Sequence, residues 1–438
     1  MDYSTDISYL VTMAQALRVG IFGGGIVGGG TVELLTAASK SGKLAQLGAK
    51  IDVAKICVRS LDKPRDFVVG PSTQLVTSYD DILKDPSINC VVEVMGGVTH
   101  AKDVVFGAIN AGKHVVTANK ALIAAFLPDL QKALQANPGV SFNYEAAVCG
   151  GIPIIHTLQT DFPCDDIHKV MGIMNGTTNF MLCKMEDEGA DYGDALKEAQ
   201  ALGFAEADPT ADVEGHDVQA KIALLAKLCF GKTVPWETVP TSGISKLTSI
   251  DFEYARILKS TIKLVGVANR NEDGTLAVFV SPMVVPLVMP LASAKGPGNM
   301  VVVNSKNMGA ATFAGPGAGR FPTANSICND LVRLSVGKTV DPFPIDVPSI
   351  ELNNDYTAQF YVRISITDGL GIIKQVGEAA EAAGVSIHAI LQNPITRAQV
   401  DFVVTTEKGT RLSQVKDLCD RISKMSFALN PPLFMPML

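Results

Sequence analysis

Asp217 and Lys221 lie four residues apart in DVQAKIALLAKLCFG (217–231), a stretch of amphipathic, helical composition that ends at a glycine. On a helix that spacing puts both side chains on one face. A carboxylate beside an amine can orient it for proton transfer, or can form an ordinary surface ion pair. The neighbouring sequence favours the first reading, because Glu206, Asp208, Asp212 and Glu214 crowd the same approach. A second amine, Lys120, follows the apolar run KHVVTAN (113–119).

A different chemistry is written in Gly23-x-Gly25-x-x-Gly28, which follows LRVGIF (17–22) and opens the helix-like TVELLTAAS. Between a strand and a helix this spacing suits a dinucleotide. The first glycine permits a tight turn, the second admits backbone to the pyrophosphate, and the third lets helix and strand pack closely. The helix start, with Ile26 and Val27, then faces negative charge. A glycine-dense flexible turn would match the same pattern. At the end of KIDVAKICVR (50–59), Arg59 stands where an acid would bind the ribose 2′-hydroxyl. An arginine there can face a 2′-phosphate, which favours NADP with NAD also usable, or can be an ordinary solvated charge.

These groups need a frame. The runs 17–22, 50–59, 90–97, 113–119 and 140–148 read as strands alternating with helices such as HAKDVVFGAINAG (100–112). That pattern predicts a Rossmann-type, doubly wound parallel sheet in an α/β fold, with Lys120 at the carboxyl edge where ligands bind. From Gly150 onward the texture becomes α+β. The glycine turn and helix of PGAGRFPTANSICNDLVRL (316–334) are expected to return to the first domain. Three prolines in DPFPIDVPS (341–349) suit a linker. Beyond it, a strand–helix–strand–strand–helix order predicts a small α+β domain, with the final NPPLFMPML not resembling a strand. The expected domains are 1–148 completed by 306–340, then 149–305, a linker 341–354, and 355–438. Three domains agree with 438 residues at roughly 150 per domain.

Composition narrows the function. A net charge of −7 without a basic cluster argues against a nucleic-acid partner. No uninterrupted apolar stretch reaches about 18 residues, so no membrane span is expected. The start of the chain lacks a signal-peptide layout. Eight scattered cysteines without C-x-x-C pairs read as reduced thiols, and so as a cytoplasmic protein.

The stretches VVTANKALIA (115–124), EAAVCGGIPII (145–155), GIMNGTTNFML (172–182), GFAEADPTADVEGHD (203–217), SGISKLTSIDFEYA (242–255) and GPGAGRFPTAN (315–325) occur in one order. On them the chain resembles the homoserine dehydrogenase family over nearly its whole length. Residues 355–438 look like an ACT domain, a small βαββαβ module that binds amino acids. The resemblance implies reversible oxidation of L-homoserine to L-aspartate 4-semialdehyde with NAD(P), serving threonine and methionine biosynthesis. It also implies that Glu206 and Asp217 hold the amino-acid end of the substrate, and that Thr177 lines its pocket. Lys120 and Lys221 would lie near the reacting hydroxyl; Lys221 is favoured as the acid/base, oriented by Asp217. Gly203, Glu206, Gly319, Thr117 and Lys120 would come close to the cofactor. The family further resembles a monovalent-cation binder at the EAAVCGGI hinge. Glu145 would offer an oxygen, and Val148, Gly150 and Ile152 their carbonyls, an all-oxygen set suited to sodium. The same segment could be a hinge alone. A homodimer or homotetramer is implied.

Two departures stand out. Cys149 replaces the family's usual glycine, and a small buried thiol is favoured over a thioester mechanism. ITDGLGII (366–373) carries Leu370 where the family's turn usually has proline. Asp368, Gly369 and Gly371 mark the loop where an effector, by inheritance threonine, would bind; a dimerising module without effector is the alternative. His216 is read as a residue outside the chemistry. The competing functions are a related dehydrogenase with another semialdehyde substrate, and a catalytically idle amino-acid sensor.

Overall fold

The computed structural model describes residues 15–392 and 400–438. The sequence reads as a polar-apolar lead-in over 1–16 and as a strand over 398–407, and of these 1–14 and 398–399 lie outside the described residues. The chain forms two compact units. One comprises the described residues up to Thr160 with Ala318–Pro344, and the other Asp161–Gly317 with Ile345–Leu438.

The first unit is built on the parallel sheet that the strand–helix alternation predicts. Its strands are β1 (Ala16–Phe22), β2 (Lys50–Cys57), β3 (Gln74–Val76), β4 (Cys90–Glu93), β5 (His114–Thr117) and β6 (Phe142–Asn143). They lie in the order β3-β2-β1-β4-β5-β6. The order reverses between β1 and β4, which opens a crevice at the carboxyl ends of these strands. Every residue of β4 and β5 is buried, as apolar runs covered on both faces require. The short edge strand β3 had no signal in the sequence. The strand expected over 140–148 stops at Asn143, and Glu145–Ala147 turns in a 3₁₀ helix. The buried Glu145 carboxylate explains this, since it accepts the N–H groups of Ile155 and His156 at 2.9 and 2.8 Å.

The late helix Arg320–Ser335 does return to the first unit. It packs on the helix Ile26–Lys40, where a Cβ on Gly30 would stand 2.9 Å from the Arg320 side chain. Arg320 then pairs with Glu33 at 2.9 Å and with Asp66. Residues 306–317, expected with this unit, belong to the second, because Gly309–Pro316 forms a strand paired there.

The second unit carries β7 (Ile167–Ile173), β8 (Ser260–Arg270), β9 (Leu276–Pro286), β10 (Gly298–Ser305), β11 (Gly309–Pro316), β12 (Thr357–Ile366), β13 (Ile387–Gln392), β14 (Val400–Thr406), β15 (Thr410–Arg411) and β16 (Leu433–Met437). The main path is β11-β10-β7-β8-β9-β16-β12-β14-β13, with β15 beside β12. The terminal NPPLFMPML therefore does form a strand, contrary to expectation. Met435 is fully buried and Phe434 meets Phe360 edge-on, while Met437 pairs with Val284 of β9. Residues beyond Tyr356 follow the order strand–helix–strand–strand–helix–strand, with the two-residue β15 before the second helix, the helices being Ile372–Ala382 and Leu412–Ile422. The proline-rich connection is pinned at its second half. Asp346 lies 3.1 Å from the buried Lys227 ammonium and accepts the Thr233 N–H. No described helix is long and apolar enough to cross a membrane.

A buried ion pair ties β12 to the helix Ser249–Ile257. Asp251, fully buried, lies 3.2 Å from Arg363 Nε and accepts the Tyr361 hydroxyl and the Thr248 N–H, each at 2.9 Å. Burial pushes its carboxyl above the ordinary range, and the Arg363 charge opposes that shift. Removing one partner of a buried pair leaves an uncompensated charge. Arg363→Met is expected to cost about 3 kcal/mol in urea unfolding. A loss below about 1 kcal/mol, the range of exposed pairs, would show that the pair does not hold this junction.

Candidate active site

In the first unit the glycine turn leaves β1 and enters the helix Ile26–Lys40. Gly23 has φ +116°, and a Cβ there would lie 2.6 Å from the Val94 carbonyl oxygen. A Cβ on Gly28 would lie 1.9 Å from the Gly23 oxygen, so helix and turn touch through bare backbone. Gly25 is different: a Cβ there meets nothing within 4 Å. It is the helix N-cap, with no side chain accepting the first N–H groups. Those donors and the helix dipole favour an anion.

The turn borders a cavity of about 1190 Å³ whose lining includes Gly23, Gly25, Ile26 and Arg59. Lys63 and Arg65 also line it, and sequence reading missed both. Their signal was the basic run after β2, KPRD (63–66). Arg65 donates to the carbonyls of Gly24 and Ser60, which ties the basic loop to the glycine turn. Val27, Gly28, Thr117, Lys120 and Gly319 lie outside this lining. Val27 packs against the core beneath. Gly319, with φ +120°, is the N-cap of the returning helix.

Thr117 and Lys120 stand at the carboxyl ends of β4 and β5. The Thr117 hydroxyl donates to the buried Glu93 at 2.7 Å and accepts the Asn119 N–H at 3.0 Å. Asn119 caps the next helix through the Leu122 N–H and donates to the Gly97 carbonyl. Burial pushes the Glu93 carboxyl up. This bracket sets Lys120, half-buried, as the first residue of the helix Lys120–Ala136.

In the second unit β7 ends at Ile173, and the next two residues build the charged centre. Lys221 is buried and donates to Asp217 Oδ2 at 2.7 Å and to the Met174 carbonyl at 2.6 Å. The Asn175 amide donates to Asp217 Oδ2 at 2.9 Å and to Asp212 Oδ1 at 2.7 Å. Its carbonyl accepts the Thr178 N–H and caps the helix Gly176–Glu188. Burial, reinforced by the nearby Asp217 charge, pushes the Asp212 carboxyl up. Asn175 and Asp212 are the members that sequence reasoning did not single out, although both lie inside the quoted stretches. Thr177 bonds to Asp212 and donates to the Phe204 carbonyl at 2.7 Å. It thus anchors the loop that carries Gly203 (φ +77°) and the exposed Glu206. His216 is exposed and its ring meets Gln219 at 3.0 Å, outside the pair.

The expected cation segment is a tight turn in the first unit. Cys149 and Gly150 have φ of +55° and +47°, and Cys149 is fully buried. The Gly150 carbonyl accepts the Ser326 hydroxyl, and Ile152 O accepts the Ile154 N–H. Burial pushes the Glu145 carboxyl up, as does the neighbouring Asp330. In the second unit the Asp368 side chain accepts the Gly369 N–H, and Gly371 (φ +78°) caps the helix Ile372–Ala382.

Residues 153–332 match the homoserine dehydrogenase family profile, and residues 23–144 match that of the homoserine dehydrogenase NAD-binding domain. The chain is 40% identical to homoserine dehydrogenase of Bacillus subtilis over 388 residues, covering 87% of this chain and 88% of that one. The chain belongs to the homoserine dehydrogenase family. Homoserine dehydrogenase of Synechocystis is 39% identical over 406 residues, 90% of this chain and 93% of that one. A crystal structure of the Thiobacillus denitrificans homoserine dehydrogenase superposes with a TM-score of 0.89 at 35% identity, covering 97% and 98% of the two chains. The chain is thus an oxidoreductase with a nicotinamide-binding domain, interconverting L-homoserine and L-aspartate 4-semialdehyde in amino-acid biosynthesis.

The second and third glycines of the turn should separate by experiment. Gly25→Ala fits the unliganded fold, so its thermal midpoint should match wild type while NADPH affinity, read by cofactor fluorescence, falls. Gly28→Ala should lower both, since its methyl collides with backbone. Equal NADPH affinity for wild type and Gly25→Ala would refute the role given to the turn.

Proposed function

We propose that Lys221, oriented by Asp217, exchanges the proton of the homoserine dehydrogenase reaction. The observation that carries this is the bonding of one ammonium. A protonated lysine has three N–H donors. Asp217 and the Met174 carbonyl take two, which leaves the third for the substrate oxygen. In the reductive direction that N–H donates a proton to the semialdehyde oxygen. In the oxidative direction the neutral amine takes the hydroxyl proton. The nicotinamide, when bound, accepts or returns the hydride. Glu206 and Asp217 hold the substrate ammonium, and Thr177 with Asn175 keeps that wall in register. Lys120 is the second proton-handling candidate, at the sheet edge where such ligands bind.

Lys221→Ala is expected to lower kcat by about 10²- to 10⁴-fold, the usual worth of general acid–base catalysis, while NADPH affinity stays unchanged. Near-wild-type turnover in that variant would move the role to Lys120.

The cationic cavity wall supports NADP as the preferred cofactor. Arg59, with Lys63 and Arg65, would hold the 2′-phosphate through charge-assisted bonds. The strand order of 355–438, with two helices, supports the ACT-like reading, with Asp368, Gly369 and Gly371 forming the loop for a threonine effector. Both Glu145 carboxylate oxygens are engaged by backbone N–H groups. The carbonyls of Val148, Gly150 and Ile152 then supply oxygens for a sodium ion, since a carbonyl keeps a second lone pair when singly bonded. A homodimer or homotetramer completes the proposal. One set of initial rates with aspartate semialdehyde tests these assignments. NADPH should outperform NADH, and Arg59→Ala should remove that advantage. Threonine should slow wild type but not Asp368→Ala, and replacing sodium by choline should lower the rate. An unchanged rate in any arm removes the corresponding assignment.

A further inference from the structure

The second unit contains a pocket of about 440 Å³ at the seam where β9 meets β16 and β12. That volume is within the range of small-molecule sites. One wall is apolar: Phe279 and Tyr356 stack with ring centroids 3.9 Å apart, and Met283 also lines it. One charged side chain enters from β7. Lys169 is half-buried, and its ammonium has no hydrogen-bond or ion-pair partner among the described residues. No Asp or Glu side chain lines the pocket, which Leu438, the last residue of the sequence, also borders, and burial lowers the Lys169 pKa. Lys408, exposed on the turn between β14 and β15, adds a second cation at the rim. A cation drawn into an apolar wall without a counter-charge is costly, and an arriving anion offsets that cost.

We propose that this pocket binds a small carboxylate with an apolar body. The carboxylate lies on Lys169 and the carbon chain lies against Phe279, Met283 and Tyr356. Asn269 and Gln359 supply neutral polar groups beside it. The site shares a strand with the chemistry. β7 runs from Lys169 to Ile173, and the next two residues, Met174 and Asn175, hold Lys221 and Asp217. Occupancy at Lys169 therefore biases the strand end that sets the ion pair. This coupling rests on the role proposed for Lys221; the binding itself does not.

Sodium hexanoate is the test ligand, with hexylammonium chloride as the charge-reversed control, both at constant sodium concentration. Acetic anhydride labelling of the full chain, read by peptide mass spectrometry, should show hexanoate protecting Lys169 but not the exposed Lys374. Lys169→Met, which keeps the stem and removes the charge, should weaken hexanoate about 10- to 100-fold in calorimetry, as loss of a charged hydrogen bond would. Lys221→Ala should bind hexanoate as wild type does, whatever its turnover. Absence of protection at the highest soluble concentration overturns the site. So does protection by hexylammonium, or equal hexanoate affinity in wild type and Lys169→Met. A homoserine KM that hexanoate shifts in wild type but not in Lys169→Met supports the coupling. An unmoved KM with binding intact overturns the coupling alone.

Discussion

A lysine ammonium buried in a helix core must have its protons bonded and its charge answered, or the fold loses several kcal/mol. Lys221 meets that demand on a helix, His216–Phe230, whose residues from Val218 to Lys227 are all buried. Asp217 answers the charge from one turn earlier, and the Met174 carbonyl takes a second proton. Much of the second unit follows from this. β7 must end where Met174 can turn its carbonyl inward, and Asn175 must bridge Asp217 and Asp212 while capping the next helix.

The same arrangement explains why acids crowd the site. Two carboxylates share one amide in a partly dry setting, and Asp212 is pushed up by burial first and by the Asp217 charge in addition. The Asn175 amide and the Lys221 ammonium answer the two carboxylates there. The first unit solves the opposite problem. It concentrates no charge of its own at the glycine turn; it removes side chains, so that backbone N–H groups and a helix end remain exposed to a bound anion. The basic wall of Arg59, Lys63 and Arg65 then lies beside that turn rather than in it.

The legible parts of the chain were those governed by local rules. Strand–helix alternation predicted the parallel sheet, and the glycine spacing predicted that Gly23 and Gly28 stand where backbone approaches too closely for a Cβ. The four-residue spacing of Asp217 and Lys221 predicted their contact, because a helix leaves no other geometry. Illegible parts depended on partners far away in sequence. The terminal PPLFMPML lacks clean alternation, yet it becomes a strand because β9 and β12 leave a gap for it. Residues 140–148 look like one strand, yet Glu145 is captured by the amides of Ile155 and His156 and the strand stops. The basic run KPRD marked Arg65 only as a charge, since its place in the cavity wall depends on carbonyls in the turn it reaches.

Sequence alone determined the family, the reaction and the residues able to do chemistry, because those are set by side-chain type at short spacing and by motif order. Tertiary structure decided how each group is held. The Lys221–Asp217 pair is held as it is because Met174 and Asn175, more than forty positions away, arrive at the end of a sheet strand, Met174 to bond the ammonium and Asn175 to bond the carboxylate. No local pattern encodes that arrival; it comes from packing a whole helix against a sheet, where burial makes every unbonded proton expensive.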